Sequence, residues 1–306
     1  MKRRVTIGTD PEFFMKNTKT GKLVSAIPYI KGDKFQPLLL PSGGNIQSDN
    51  VAVEFATKPA KTMEEFISHM RDTFRDTLAQ LPADHVLSVS PSAVFPEEEL
   101  QDEKAKQFGC MPDYCAWDLC VNTTPTHPNE RFRSCGGHIH VGCVDIEGTP
   151  IHPDSQFLLT DMGKVWMVRG MDLLHGVIST ILDNSKEAIE RRVLYGKAGS
   201  HRPTGYGVEY RALSNWWTKH PMSSMLVTSL TEDVVTLIVE NKLEGLIAKI
   251  GSDTIRNTIN TGDVGKAKEL LATILINHIS ADSKFYFEEC LVKVTTTDVL
   301  SADWNI

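Results

Sequence analysis

The chain has 306 residues, a formal net charge of −7 and a pI near 5.8, with 41% hydrophobic and 23% charged residues. That is enough chain for one large domain or two small ones with a substantial core, in proportions ordinary for a globular protein. The acidic balance argues against stable binding of duplex nucleic acid, though a local basic groove stays open. No apolar stretch follows the basic start Met1-Lys2-Arg3-Arg4, and no uninterrupted apolar run reaches about 18 residues. The reading is a cytoplasmic protein with no signal peptide or membrane span, whose six cysteines are reduced thiols.

In chain order, the pattern predicts a first strand over Arg4 to Met15 and a hairpin turn at Asn17 to Lys22. A turn at Pro41-Ser42-Gly43-Gly44 leads into Asn45 to Phe55, where Val53 and Phe55 face a core and Glu54 faces the other way. Thr62-Met63-Glu64-Glu65 has capping-box spacing, and Met63, Phe66, Ile67, Met70, Phe74 and Leu78 then recur as the stripe of an amphipathic helix. Val86 to Phe95 alternates like a strand, Glu97 to Lys106 reads as a charged connection, and Phe108 to Asn122 as aromatic, cysteine-rich loop with a short strand. Residues Asp154 to Asp183 suit a helix that Gly163, Gly170 and Gly176 interrupt. The glycine-rich run Tyr195 to Gly207 delivers a strand carrying Glu209 and Arg211. The last ninety or so residues read as helical, with a stripe of Val264, Ala267, Leu271, Ile274 and Leu275, His278 at its core edge, and an edge strand at Leu291 to Val294. No repeat or Pro/Ser-rich linker divides the chain, so it reads as a single domain over 1–306 with a core of 5–217 and a helical portion of 218–306.

Three segments carry ionisable pairs two residues apart: Asp10 and Glu12, His138 and His140, Glu209 and Arg211. On a strand that spacing puts both members on one face. In Ser134-Cys135-Gly136-Gly137-His138-Ile139-His140-Val141-Gly142 the glycines weaken a strand, and glycine there often marks close approach of a ligand or another backbone. Glu12, Glu54, His138 and Glu209 would offer oxygen and imidazole ligands to Mg²⁺ or Mn²⁺. Any one carboxylate is equally at home on a solvated sheet face, and the two histidines could be hydrogen-bonded structural groups. Arg202, Arg211 and Lys197 could clamp phosphate or carboxylate oxygens, although Glu209 and Arg211 would also make an ordinary surface ion pair. The glycine-rich loop lacks P-loop spacing, and Cys110, Cys115, Cys120, Cys135 and Cys143 contain no Cys-x-x-Cys pair to support zinc. His175 belongs in a core, and Trp216-Trp217 closes one or stacks on a nucleotide base.

Taken in order, Gly8-Thr9-Asp10-Pro11-Glu12-Phe13, Asp49-Asn50-Val51-Ala52-Val53-Glu54, Gly136-Gly137-His138-Ile139-His140-Val141 and Tyr195-Gly196-Lys197-Ala198-Gly199 through Arg202 to Gly207-Val208-Glu209-Tyr210-Arg211 resemble a phage-type carboxylate–amine ligase, COOH–NH2 ligase type 2. That family lies in the glutamine synthetase and glutamate–cysteine ligase superfamily. The resemblance implies an α+β, glutamine-synthetase-like fold: a curved antiparallel β-sheet, helices on its outer face, and a concave face holding ATP and two or three Mg²⁺ or Mn²⁺ ions. It implies Glu12, Glu54, His138 and Glu209 as metal ligands, with Asp10 in the first motif position and Asp49 as a substitute. It further implies His140 at the nucleotide or phosphates, Arg202 and Arg211 on the transferring phosphate and substrate carboxylate, and Arg192 and Lys197 as helpers in cofactor binding.

The reaction implied is ATP-dependent amide formation through an acyl phosphate, in the cytoplasm of a host cell if the chain is phage-encoded. It needs no protein nucleophile, in keeping with the lack of a recognisable Ser/His or Cys/His arrangement. A metal-dependent amide or phosphoester hydrolase and a non-catalytic nucleotide- or metal-binding protein are the alternatives. The partners are small-molecule or peptide carboxylates and amines, their identity and the oligomeric state left open.

Overall fold

The computed structural model describes residues 4–106, 113–123, 127–145, 147–294 and 298–306. The architecture is α+β, an antiparallel sheet framework backed by helices and followed by a helical C-terminal region. One six-stranded sheet runs in the order Thr6–Thr9, Ile139–Gly142, Gly207–Tyr210, Ser200–Pro203, Tyr114–Cys115, Cys120–Val121, every pair antiparallel. A second has the order Leu23–Val24, Glu12–Asn17, Ala52–Ala56, Asn45–Asp49, Leu38–Leu39, with His85–Ser88 also paired to Glu12–Asn17.

The single first strand expected over Arg4 to Met15 is two strands, Thr6–Thr9 and Glu12–Asn17, in different sheets. Pro11 has no N–H to give a ladder, so the chain turns a corner there. Asp10 therefore lies between strands, not on one face with Glu12. Val86 to Phe95 is likewise split about Pro91, into His85–Ser88 and Ser92–Val94, the latter paired with Phe132–Ser134. Asn45 to Phe55 folds as a hairpin, Asn45–Asp49 against Ala52–Ala56, turning through Asn50 at φ 52°. Asparagine tolerates this left-handed conformation better than most residues. Val53 and Phe55 are buried and Glu54 points to the other face, as the alternation predicts.

The predicted helix is Met63–Leu78, its N-terminus capped by the Thr62 side chain accepting from Glu65 N–H at 3.1 Å. The Glu65 carboxylate accepts from Lys61 N–H at 2.7 Å instead of closing the box on Thr62. Phe74 packs edge-on against Phe13 and Phe55, welding the helix to the second sheet. Asp161–Met171 continues into Val177–Leu182 through a π-helical turn, Asp172–Gly176. The glycines here serve packing: a Cβ at Gly170 would meet Val234 Cγ1 at 2.5 Å, and one at Gly176 would meet Ile259 Cδ1 at 2.5 Å. Asp161–Leu182 and Pro221–Val239 are long and apolar enough to cross a membrane, yet 83% and 67% of their apolar windows are buried inside the protein.

The charged connection after Phe95 contains two short turns, Glu97–Leu100 and Glu103–Lys106. Cys110 and the rest of 107–112 lie outside the described residues, as do Met1-Lys2-Arg3. Beyond Pro221–Val239 come Leu243–Ile250, Ser252–Thr261, Val264–Thr273 and Ala281–Lys293. Ala267, Leu271 and Leu275 are buried, with His278 half-buried beside them. The edge strand expected at Leu291 to Val294 is instead the end of helix Ala281–Lys293. Three apolar residues around Lys293 cannot declare a period. The Ser280 cap and the Ser283 hydroxyl, which donates to Asp233 at 2.5 Å, anchor that helix to its neighbour.

Candidate active site

Sheet register assembles the first half of the site. Gly8 pairs with His140, His140 with Glu209, and Glu209 with Arg202, so one row of the first sheet carries an imidazole, a carboxylate and a guanidinium side by side. His138 sits just before its strand, on a backbone whose glycines let neighbouring groups press close. A Cβ on Gly136 would meet the His138 ring at 2.3 Å, and one on Gly137 would meet Ser214 O at 2.4 Å. Trp217 completes this support, its ring N–H donating to Gly137 O at 3.0 Å. Both tryptophans of the 216–217 pair are buried and close the core.

Asp10, delivered by the Pro11 corner, reaches both histidines: Oδ1 lies 3.2 Å from His138 Nδ1 and 3.0 Å from His140 Nε2. His138 Nδ1 is also 3.5 Å from Glu209 Oε1. Arg211 pairs with that same Glu209 oxygen, and Arg202 with the other at 2.8 Å. Glu209, His138 and Arg211 are all buried. Tyr206 bonds through its hydroxyl to His140 Nδ1, the ring atom not facing Asp10.

The second sheet supplies the other half. Glu12 is the cross-strand partner of Glu54, and Asp49 comes from the adjoining strand of the hairpin. Ligand atoms of Asp10, His138 and Glu209 lie within 4.8 Å of one another, as do those of Glu12, Asp49 and Glu54. The four acids and imidazoles singled out by sequence thus converge, with Asp10 and Asp49 each completing a set of three.

The electrostatics of the second set suit a cation. Burial, then the charges of Asp10, Asp49 and Glu12, push the Glu54 carboxyl well above its ordinary range. Burial and Glu12 raise Asp49 to about 6. Burial works against ionised Asp10 as well, but His140 and then His138 outweigh it and hold this carboxyl well below the usual range. Asp10 Oδ1 and His140 Nε2, although 3.0 Å apart, are buried without a well-directed hydrogen bond. Crowded, oxygen-rich, partly protonated groups of this kind fit a hard divalent ion.

A cavity of about 350 Å³ opens beside these groups, lined among others by Glu12, Asp49, His138, Arg211, Arg191 and Asp113. Arg192, expected to aid cofactor binding, is turned away from it: its guanidinium donates to Asp183 O at 2.7 Å and lies 3.7 Å from that carboxylate. Successive residues of helix Lys186–Leu194 project about 100° apart, so only one of the two arginines can face the cavity, and it is Arg191. Arg191 also donates to Ala212 O at 3.0 Å, bracing the strand end beyond Arg211. Lys197 is exposed and not among the residues lining the cavity. Sequence reading missed Arg191, Tyr206 and Asp113. Tyr206 had a visible signal in its place between two glycines of a hairpin, while Asp113 had none.

Residues 123–285 match the family described as Phage phiEco32-like COOH.NH2 ligase-type 2. The match spans just over half of the chain, which belongs to that carboxylate–amine ligase family. It takes in His138, His140, Arg202, Glu209 and Arg211 and leaves out the acids of the second sheet. No curated protein matches the chain. Among solved structures, a bifunctional glutathione synthetase from Pasteurella multocida superposes with a TM-score of 0.47 at 10% identity, covering 98% of this chain and 49% of its own. A novel glutamine synthase homolog gives 0.38 at 10% identity, covering 94% and 71%. This chain therefore spans about half the length of that glutathione synthetase.

Proposed function

We propose that the chain is an ATP-dependent carboxylate–amine ligase that forms an amide through an acyl phosphate. The observation that carries this reading is the adjacency of two three-ligand groups, joined by the Asp10-Pro11-Glu12 corner and flanked by Arg202 and Arg211. Asp10, His138 and Glu209 would hold one Mg²⁺ or Mn²⁺ ion, and Glu12, Asp49 and Glu54 another. Ions there supply charge neutralisation across a polyphosphate.

A carboxylate resists attack because its leaving group would be oxide. In the first step its oxygen takes the γ-phosphoryl of ATP and ADP departs. In the second, the amine nitrogen forms the C–N bond while the C–O bond to phosphate breaks with its electron pair. Arg211, buried and fixed by Glu209, is set to orient the transferring group, and Arg202 to meet charge building on it. His140, between Asp10 and Tyr206, would hold Asp10 in place within the first ligand group.

The test is ADP release from ATP and Mg²⁺ with a panel of amino acids and short peptides as carboxylates, with hydroxylamine as trapping nucleophile. Carboxylate-dependent ADP with matching hydroxamate is expected. Cleavage of amides or phosphoesters without ATP consumption would replace this reading with a metal-dependent hydrolase.

A further inference from the structure

Two cysteines stand directly opposite one another in the hairpin at the far edge of the first sheet. Cys115 in Tyr114–Cys115 is the cross-strand partner of Cys120 in Cys120–Val121, and among the described residues no other two cysteines share a register position. Residues paired in this way have Cα atoms about 4.5–5.5 Å apart, inside the window of about 4.4–6.8 Å that a disulfide spans. Their side chains leave the same face of the sheet. Their surroundings differ. Cys115 is 5% exposed and lies between two strands, since it also pairs with Ser200. Cys120 is exposed, on the outermost strand. Cys135, Cys143 and Cys290 are buried, where a thiol serves as a small apolar side chain; Cys120 has no core to fill.

We infer that Cys115 and Cys120 form a reversible disulfide when the protein meets a low-molecular-weight disulfide such as oxidised glutathione. Exposure sets the order of events. The Cys120 thiolate attacks one sulfur of glutathione disulfide, whose S–S bond breaks with its electron pair on the departing glutathione. The proton that Cys120 gave up ends on that glutathione. Burial pushes the Cys115 thiol above its ordinary range, so it stays protonated and does not compete for the oxidant. It donates to the Asp118 carboxylate at 3.3 Å, which receives its proton as the second step begins. The Cys115 sulfur then attacks the Cys120 sulfur and expels the second glutathione, which takes up that proton. Two protein thiols are oxidised and one glutathione disulfide is reduced to two thiols. The outermost strand has a neighbour on one side only, so Cys120 can close on Cys115 without displacing the strands that carry His140 and Glu209. The bridge lies just beyond Asp113, which lines the cavity 3.8 Å from Arg211 Nε, and so puts a redox site at the rim of the candidate active site.

The full chain, reduced, incubated with oxidised glutathione and then blocked with N-ethylmaleimide, reads the outcome by intact mass. The wild type should take up two fewer maleimides than untreated protein, carry no glutathione, and recover both sites after dithiothreitol. Cleavage before aspartates, without reduction, should release Asp113-Tyr114-Cys115-Ala116-Trp117 joined to the peptide that begins at Asp118 and contains Cys120. Cys115→Ser should stop with one glutathione on Cys120, and Cys120→Ser should form no bridge. A wild type that keeps all its thiols, glutathione retained on Cys120 beside a free Cys115, or a bridge that survives in C120S overturns the inference. These outcomes concern the hairpin alone; the ligase reading falls separately, if the reduced wild type forms no ADP with any carboxylate.

Discussion

Glu12 and Gly136 are joined twice: the Glu12 N–H donates to Gly136 O at 2.9 Å, and the Gly136 N–H donates to the Glu12 carboxylate at 2.6 Å. This reciprocal clasp ties the second sheet to the approach of the histidine strand. It spends one Glu12 oxygen on the fold and leaves the other for the Asp49 and Glu54 group.

Gly136→Ala should break the site without unfolding the protein. Its Cβ would fall 2.3 Å from the His138 ring, so His138 must swing away from Asp10 and Glu209. Mn²⁺ affinity by titration calorimetry should drop about 10- to 100-fold, the usual cost of disturbing support around a metal ligand. Wild-type affinity in G136A would remove His138 from the ligand set.

Glu54→Gln should stabilise the metal-free protein and destroy its response to metal. Glu54 stands half-buried beside Asp10, Asp49 and Glu12, and the neutral amide relieves that repulsion. Thermal melts in EDTA should show a higher Tm for E54Q. Added Mg²⁺ or Mn²⁺ should raise the wild type while moving E54Q much less.

Arg211→Ala and Arg202→Ala should differ in cost. Arg211 and Glu209 are a buried pair, with side chains 7% and 3% exposed, and removing Arg211 takes the guanidinium from the buried Glu209 oxygen that Arg202 does not hold. Chemical denaturation should show a loss of about 3–5 kcal/mol for R211A. Arg202, at 23% exposed, leaves its end of Glu209 open to water and should cost less.

Two buried groups set the stability profile against pH. Burial raises Asp172 from 3.8 to about 7, despite hydrogen bonds donated by Trp117 and Tyr210. Its contribution is complete below pH 3.8 and is lost as pH rises through about 7. Burial lowers His175 from 6.5 to about 4, so its contribution is complete above pH 6.5 and is lost as pH falls through about 4. The two windows overlap with opposite slopes, so Asp172→Asn should make the unfolding free energy rise more steeply with pH between about 4 and 6.5, and His175→Gln should make it fall over the same range. Unchanged slopes in both variants would count against these assignments.

Periodicity read well where one element made its own case. The Met63–Leu78 stripe and its Thr62 cap are complete within one stretch of chain, and the Val53 and Phe55 alternation needs only the strand itself. It failed where partners lay far off. Nothing near Leu291 says that Asp233 will seize Ser283, and the adjacent Arg191 and Arg192 differ only in which way a helix turns them.

The residues alone announced the chemistry: carboxylates, imidazoles and arginines at strand spacing, with glycines where neighbours press close, because alternation along a strand is local. Their grouping was beyond such reading. Pro11 sends Asp10 to the histidines of one sheet and Glu12 to the acids of another, and pairing between strands far apart in the sequence chose each one's company.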